Sequence, residues 1–170
     1  MSYFQQNIGK KLLARHKQIA KNEALKSLSN ARDIGVVYDV AKTESRELIK
    51  VVNYFESAGK NVITIGYVNS KELGEYAPNY KEVFFCNKDL NFWKLPKKES
   101  VKRFVTKDFD FLINLDCEGQ LELQVISTFS VAKTRVGKHI EEFAFAQDFM
   151  IKTAAESAED LFDEIKKYIK

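Results

Sequence analysis

Cysteine, proline and histidine each occur only twice in the 170 residues, and tryptophan once. Two cysteines, Cys86 and Cys117, cannot build a disulfide scaffold, and two free thiols suit a reducing compartment, so a cytoplasmic protein is expected. His16 and His139 stand alone without the ligand spacings of a zinc site, so no metal is predicted. Two prolines exclude collagen-like and proline-rich compositions. Seven glycines are present, but Gly35, Gly66 and Gly74 do not form a dinucleotide fingerprint, and a Walker-type phosphate loop is absent, so no cofactor is predicted. No apolar run reaches membrane-spanning length, and the early lysines precede no secretory core, so neither a span nor a signal is expected.

What is present is a folding composition, 45% hydrophobic, 12% aromatic and 30% charged, which supports one domain with a substantial core. The 27 Lys and Arg against 24 Asp and Glu leave a formal charge of +3, too small by itself to imply nucleic acid. The charge is unevenly placed. Residues 1–32 hold seven basic side chains and the single acid Glu23, and the remainder is slightly acidic. Within them, Ile8, Leu12 and Ile19 fall along one side of a predicted helix over 7–29, widened by Leu13, Ala20 and Ala24. The expected organisation is a basic helical extension, 1–32, docked on a single domain, 33–170.

The spacing predicts a strand at Ile34–Tyr38 ending at Asp39, then a helix to about Ala58, capped by Thr43 or a neighbour. Leu48, Val51, Val52 and Phe55 form that helix's core face, and Gly59 stops it. Strands follow at Val62–Gly66 and Val83–Cys86, with one helical turn near Glu72 between them. Asn87–Lys94 reads as loop, and Pro96 opens a short helix whose Val101, Phe104 and Val105 face inward. Phe109–Leu115 is the clearest central strand, closed by Asp116 and followed by a helix over Gln120–Phe129. Ala132–Val136 reads as a strand stopped by Gly137, and Phe149–Ile151 as a short last strand. The final helix carries Ala158, Leu161, Phe162, Ile165, Tyr168 and Ile169 at three- and four-residue intervals.

Strands separated by helices at this spacing predict an α/β protein, a Rossmann-like three-layer sandwich with a mostly parallel sheet of five or six strands. Such sheets bind ligands along the carboxyl ends of their strands. The residues placed there are Asp39, Tyr67, Asn87, Asp116 and Arg135 or His139, with Thr43 in the turn before the first helix. Each also has a structural reading. Aspartates at strand ends form turns, and Lys133 and Arg135 on one side of a strand mark a solvated sheet edge as readily as an anion clamp. Two cysteines on non-adjacent strands are expected to remain unpaired, as structural thiols without a base beside them.

The stretches Phe109–Asp116 and Val131–Gly137, with Asp33–Asp39 and Phe92–Pro96, resemble a family of small α/β proteins of Bacteroidetes without an assigned activity. That resemblance covers most of the chain and implies a fold. The two central stretches also resemble, over roughly the middle third, the amino-terminal domain of heptosyltransferase-like glycosyltransferases. There Asp39 would take the general-base position, but the chain is too short for the second domain that grips a nucleotide sugar.

Three functional classes follow. The leading one is a non-catalytic cytoplasmic binding module for a protein or a small anionic ligand, since no coherent catalytic set emerges. The second is a reduced glycosyltransferase-like protein binding a sugar or nucleotide sugar at the strand ends. The third, disfavoured, is nucleic-acid binding through the first helix and a second basic patch, Lys94, Lys97, Lys98, Lys102, Arg103 and Lys107, with Phe92 and Trp93 beside it. Trp93 reads more simply as a fastener of its loop to the core. A homodimer through the terminal helix is open, because an amphipathic helix packs on its own sheet or on another chain.

Overall fold

A computed structural model of the chain describes residues 28–169. The helix predicted over 7–29 lies outside these residues except at its last two positions, which belong to a single 3-10 turn, Leu28–Asn30. Six strands follow in chain order: β1 (Asp33–Asp39), β2 (Asn61–Val68), β3 (Glu82–Cys86), β4 (Phe111–Asn114), β5 (Thr134–Lys138) and β6 (Phe149–Ile151). They form one sheet in the order β3-β2-β1-β4-β5-β6, and every pairing is parallel. Four helices flank it: α1 (Ser45–Ser57), α2 (Glu99–Val105), α3 (Leu121–Phe129) and α4 (Ala158–Tyr168).

Period-two alternation divides the central strands between two cores. Ile34, Val36 and Tyr38 of β1 face the layer of α1 and α4, where they join Val51, Phe55, Leu161, Phe162 and Ile165. Val37 faces the other layer, with Ile65, Tyr67, Phe85 and Leu112 against Val101 and Phe104 of α2 and Leu123 and Ile126 of α3. Strands covered on both faces need near-continuous apolar runs, and Ile34–Tyr38 is one. Each fully buried Phe, Leu, Ile or Val contributes about 1.5–3 kcal/mol against the entropy of ordering the chain. The terminal helix packs on its own sheet, through Ala158, Leu161, Phe162 and Ile165.

Helix ends follow local chemistry. The cap of α1 is Glu44 rather than Thr43, with the Glu47 carboxylate accepting the Glu44 N–H at 2.8 Å. Gly59 ends α1 with φ +73°, a left-handed turn that lets Lys60 N–H donate to Phe55 C=O at 3.0 Å. Ser157 caps α4, its hydroxyl accepting the Asp160 N–H.

Four expectations are corrected. No helical turn forms near Glu72; the segment is bends and turns. Pro96 does not open α2, which begins at Glu99; Pro96 instead bridges back to Leu90 and closes the loop after β3. Gly137 lies inside β5 rather than stopping it, because a Cβ there would meet the Gln147 amide at 3.1 Å and the Asn114 carbonyl at 3.3 Å. Finally, β5 is an interior strand between β4 and β6, so its basic residues do not protect a solvated edge.

Candidate functional site at the carboxyl rim of the sheet

All six strands point the same way, so their carboxyl ends share one rim. Asp39 closes β1 opposite Tyr67 of β2, Tyr67 lies opposite Phe85 of β3, and Asn87 follows β3 directly. Val37 pairs with Asn114, the last residue of β4, and Asp116 lies two residues beyond. The rim therefore gathers Asp39, Tyr67, Asn87 and Asp116 from four adjacent strands. Chain direction across the sheet reverses between β1 and β4, so the connections after them diverge to opposite faces beside Asp39 and Asp116.

A connected polar group on this rim centres on Lys94. Its backbone is left-handed, φ 64°, the only such non-glycine position among the described residues. That conformation costs a lysine of order 1 kcal/mol or more and persists only where the surroundings impose it. Here the Lys94 N–H donates to Asn91 C=O at 2.9 Å. Its ammonium reaches Asn87 Oδ1 at 3.0 Å and Glu122 Oε1 at 2.9 Å, with side chains only 13% and 5% exposed. The Tyr67 hydroxyl donates to the same Asn87 Oδ1 at 3.0 Å. Burial, followed by the charge of Glu122, pushes the Tyr67 hydroxyl well above its ordinary range, with Asp39 adding to the same effect. Loop 87–96 is thereby drawn back over the rim, and Glu122, in the first turn of α3, anchors it.

Beside this network, Asp39 is buried and has one oxygen bonded to the Ala41 N–H at 2.8 Å. Burial raises its pKa, opposed by that amide and by the nearby Lys42 ammonium. Lys42 is held by Glu118 and also lies in the field of Asp39 and Asp116. Thr43 is buried behind the turn, its N–H donating to Asp39 C=O at 3.0 Å. Asp116 is more fully committed. Its two oxygens accept the N–H groups of Glu118, Gly119 and Gln120 and the Gln124 side chain, at 2.6–3.1 Å. It organises the entrance to α3, and burial raises its pKa against those donors.

Arg135 does not join this group, whereas His139 follows β5 at the same rim, on the strand next to the one that leads to Asp116. Arg135 is buried, with Nε and Nη2 on the two oxygens of Asp148 at 2.8 and 2.6 Å and Nη1 facing the Ser127 and Thr128 carbonyls at 3.4 Å. It locks β5 to the end of α3 and to the approach of β6. His139 is half-buried after β5, its backbone N–H donating to Ile151 C=O at 2.8 Å. Cys86 and Cys117 are free thiols. Burial raises both, Cys117 to about 11, so each is held as the thiol rather than the nucleophilic thiolate. Among the described residues no group of three or more His, Cys, Asp or Glu is placed to hold a metal, and no helix is long and apolar enough to cross a membrane.

Trp93 does not fasten the loop to the core. It is 39% exposed and Phe92 63%, their rings edge-to-face at 5.0 Å on the tip of the loop that carries Lys94. Three lysines of the second basic patch are paired, Lys94 with Glu122, Lys98 with Asp89 and Lys107 with Asp33. The first helix, which a nucleic-acid surface would need beside that patch, lies outside the described residues. Sequence reasoning singled out neither Lys94 as a rim residue nor Glu122. The available signal was a carboxylate in the first turn of a mostly apolar helix, which needs a cation when buried.

The sequence model of a family of unknown function, DUF6913, matches residues 2–170. No curated protein and no solved structure matches the chain significantly.

Proposed function

Since the chain belongs to DUF6913, a family of unknown function, we propose a role from the chemistry of the rim itself: a Rossmann-like, single-domain cytoplasmic module that binds a small hydroxyl-rich ligand, a sugar, without turning it over. The observation that carries this reading is the Lys94–Glu122–Tyr67–Asn87 network, built at the cost of a left-handed lysine and set beside Asp39 at the divergence of β1 and β4. Backbone strain and buried charge cluster at functional sites.

Charge selects the ligand. Asp39, Asp116, Glu118 and Glu122 face Lys42 and Lys94, so the rim is rich in acceptors and repels an anion. Asp39 retains acceptor capacity beyond its bond to Ala41, and the Lys94 ammonium has a third hydrogen beyond its two acceptors. A hydroxyl can donate to the first and accept from the second. The exposed Phe92–Trp93 pair offers an apolar surface for the C–H face of a sugar ring. A nucleotide sugar suits the rim less, because its diphosphate would meet the same carboxylates. Binding without turnover is supported by the commitment of Asp116 to four donors and by the protonated state of both thiols. Free thiols are also what supports a cytoplasmic setting.

Calorimetric titration of the full chain with glucose, galactose, N-acetylglucosamine and ribose, alongside glucose 6-phosphate, tests the proposal. Saturable binding of a neutral sugar, weaker binding of the phosphorylated form, and at least a tenfold loss in Asp39→Asn are expected. Failure of the whole neutral panel overturns it, and turnover of a sugar substrate that disappears in Asp39→Asn replaces it with catalysis.

A further inference from the structure

A concavity lies away from the rim, between α2 and the Pro78–Tyr80 segment that leads into β3. Its volume is about 410 Å³, within the range of small-molecule sites. Ile63, Val83 and Phe104 supply apolar walls, and Tyr80, 85% exposed, stands at one side. Two cations, Arg103 and Lys107, line it as well. Lys107 is shared with Asp33 at 3.6 Å, whereas Arg103 is exposed and meets no acid among the described residues. The Ser100 hydroxyl, also in the lining, is buried without a hydrogen-bond partner. That oxygen is closed off from solvent, so it meets no ligand in the cleft unless the Ser100 side chain changes rotamer.

We propose that this cleft binds a small amphipathic carboxylate, its apolar body between Tyr80, Val83 and Phe104 and its carboxylate on Arg103. Lys107 adds positive field despite its contact with Asp33. Arg103 suits the role because a guanidinium offers paired donors matched to a carboxylate. The site is independent of the rim, whose excess of carboxylates turns the same ligand away.

Octanoate and 2-naphthoate are the probes, titrated into the full chain by calorimetry, with octanol and 2-naphthalenemethanol as their neutral counterparts. Saturable one-to-one binding of a carboxylate is expected, about tenfold tighter than its alcohol. Arg103→Gln, at an exposed position where the fold is not at stake, weakens the carboxylate about tenfold and leaves the alcohol unchanged, whereas Asp39→Asn at the rim changes neither. The proposal is overturned if neither carboxylate saturates, if acid and alcohol bind alike, or if Arg103→Gln leaves carboxylate binding intact. Loss of carboxylate binding in Asp39→Asn would equally overturn it, by moving the site to the rim.

Discussion

Replacing Asp110 by asparagine removes a charge on which three parts of the sheet's amino end depend. Its Oδ2 accepts the N–H groups of Arg32 and Asp33 at 2.8 and 3.2 Å, where the chain enters β1, and its Oδ1 meets the Lys133 ammonium at 2.8 Å, just before β5. Burial alone would raise its pKa, but Lys133 and the two amides outweigh burial and hold it at about 2, against an ordinary 3.8. A difference of about 1.8 units at 1.36 kcal/mol each gives a ceiling of about 2.4 kcal/mol. Lys133, 29% exposed, is screened by solvent, which reduces the expected value to about 1–2 kcal/mol. The sign follows from the depressed pKa. The stabilisation is fully present above about pH 5, where the unfolded carboxylate is also ionised, and is lost as pH falls through the unfolded value of 3.8 to the folded value near 2. Urea unfolding of the native chain and Asp110→Asn, at half-unit steps from pH 7 to the lowest pH at which both still fold, measures the gap. The gap should be constant from pH 7 to 5 and narrow by about 1–2 kcal/mol as the folded carboxylate protonates; a remainder independent of pH reports the altered hydrogen bonds. A gap that does not change down to pH 2.5 refutes the argument.

Three further outcomes follow from the contacts of Lys94, Gly66 and Cys117. Lys94→Met leaves the buried Glu122 carboxylate unpaired and should destabilise the protein by about 3 kcal/mol at pH 7, with much of the loss recovered in the Lys94→Met, Glu122→Gln double variant, both read by urea unfolding. Gly66→Ala places a Cβ 2.8 Å from the Tyr38 ring and from Val40 Cγ2, so thermal unfolding should show a loss of about 1–3 kcal/mol. Cys117, raised from 9.0 to about 11, should be alkylated by iodoacetamide at pH 8 roughly a hundredfold more slowly in the native protein than in urea, as followed by mass spectrometry.

The parallel sheet was legible because its strands are short apolar runs separated by helical periodicity, and Asp39, Tyr67, Asn87 and Asp116 were legible because strand ends in such a sheet must share a rim. What escaped depends on contacts made across the chain. Gly137 looked like a strand terminator, yet its missing side chain makes room for Gln147, a residue ten positions later. Arg135 looked like a surface cation because its partner Asp148 belongs to the approach to the last strand, and only the sheet order reveals that β5 is interior. Pro96 sits where a helix start is plausible, but closing the loop against Leu90 uses it differently. The same closure turns Lys94 onto Glu122, 28 residues away, a pairing that no local pattern encodes. Asn114, the one polar residue in the central strand, is explained by its side chain, which donates to Ser127 Oγ at 2.9 Å and accepts the Asp116 N–H at 3.0 Å.

Trp93 is the chain's single tryptophan and sits on the loop that closes the rim, so its fluorescence reports directly on that place. Titration with the tightest-binding neutral sugar should change the emission saturably, at the calorimetric affinity, and the change should be weakened in both Asp39→Asn and Lys94→Met. Sugar that saturates the protein by calorimetry while Trp93 emission stays constant, or binding that is indifferent to both substitutions, would contradict a ligand site at the carboxyl rim.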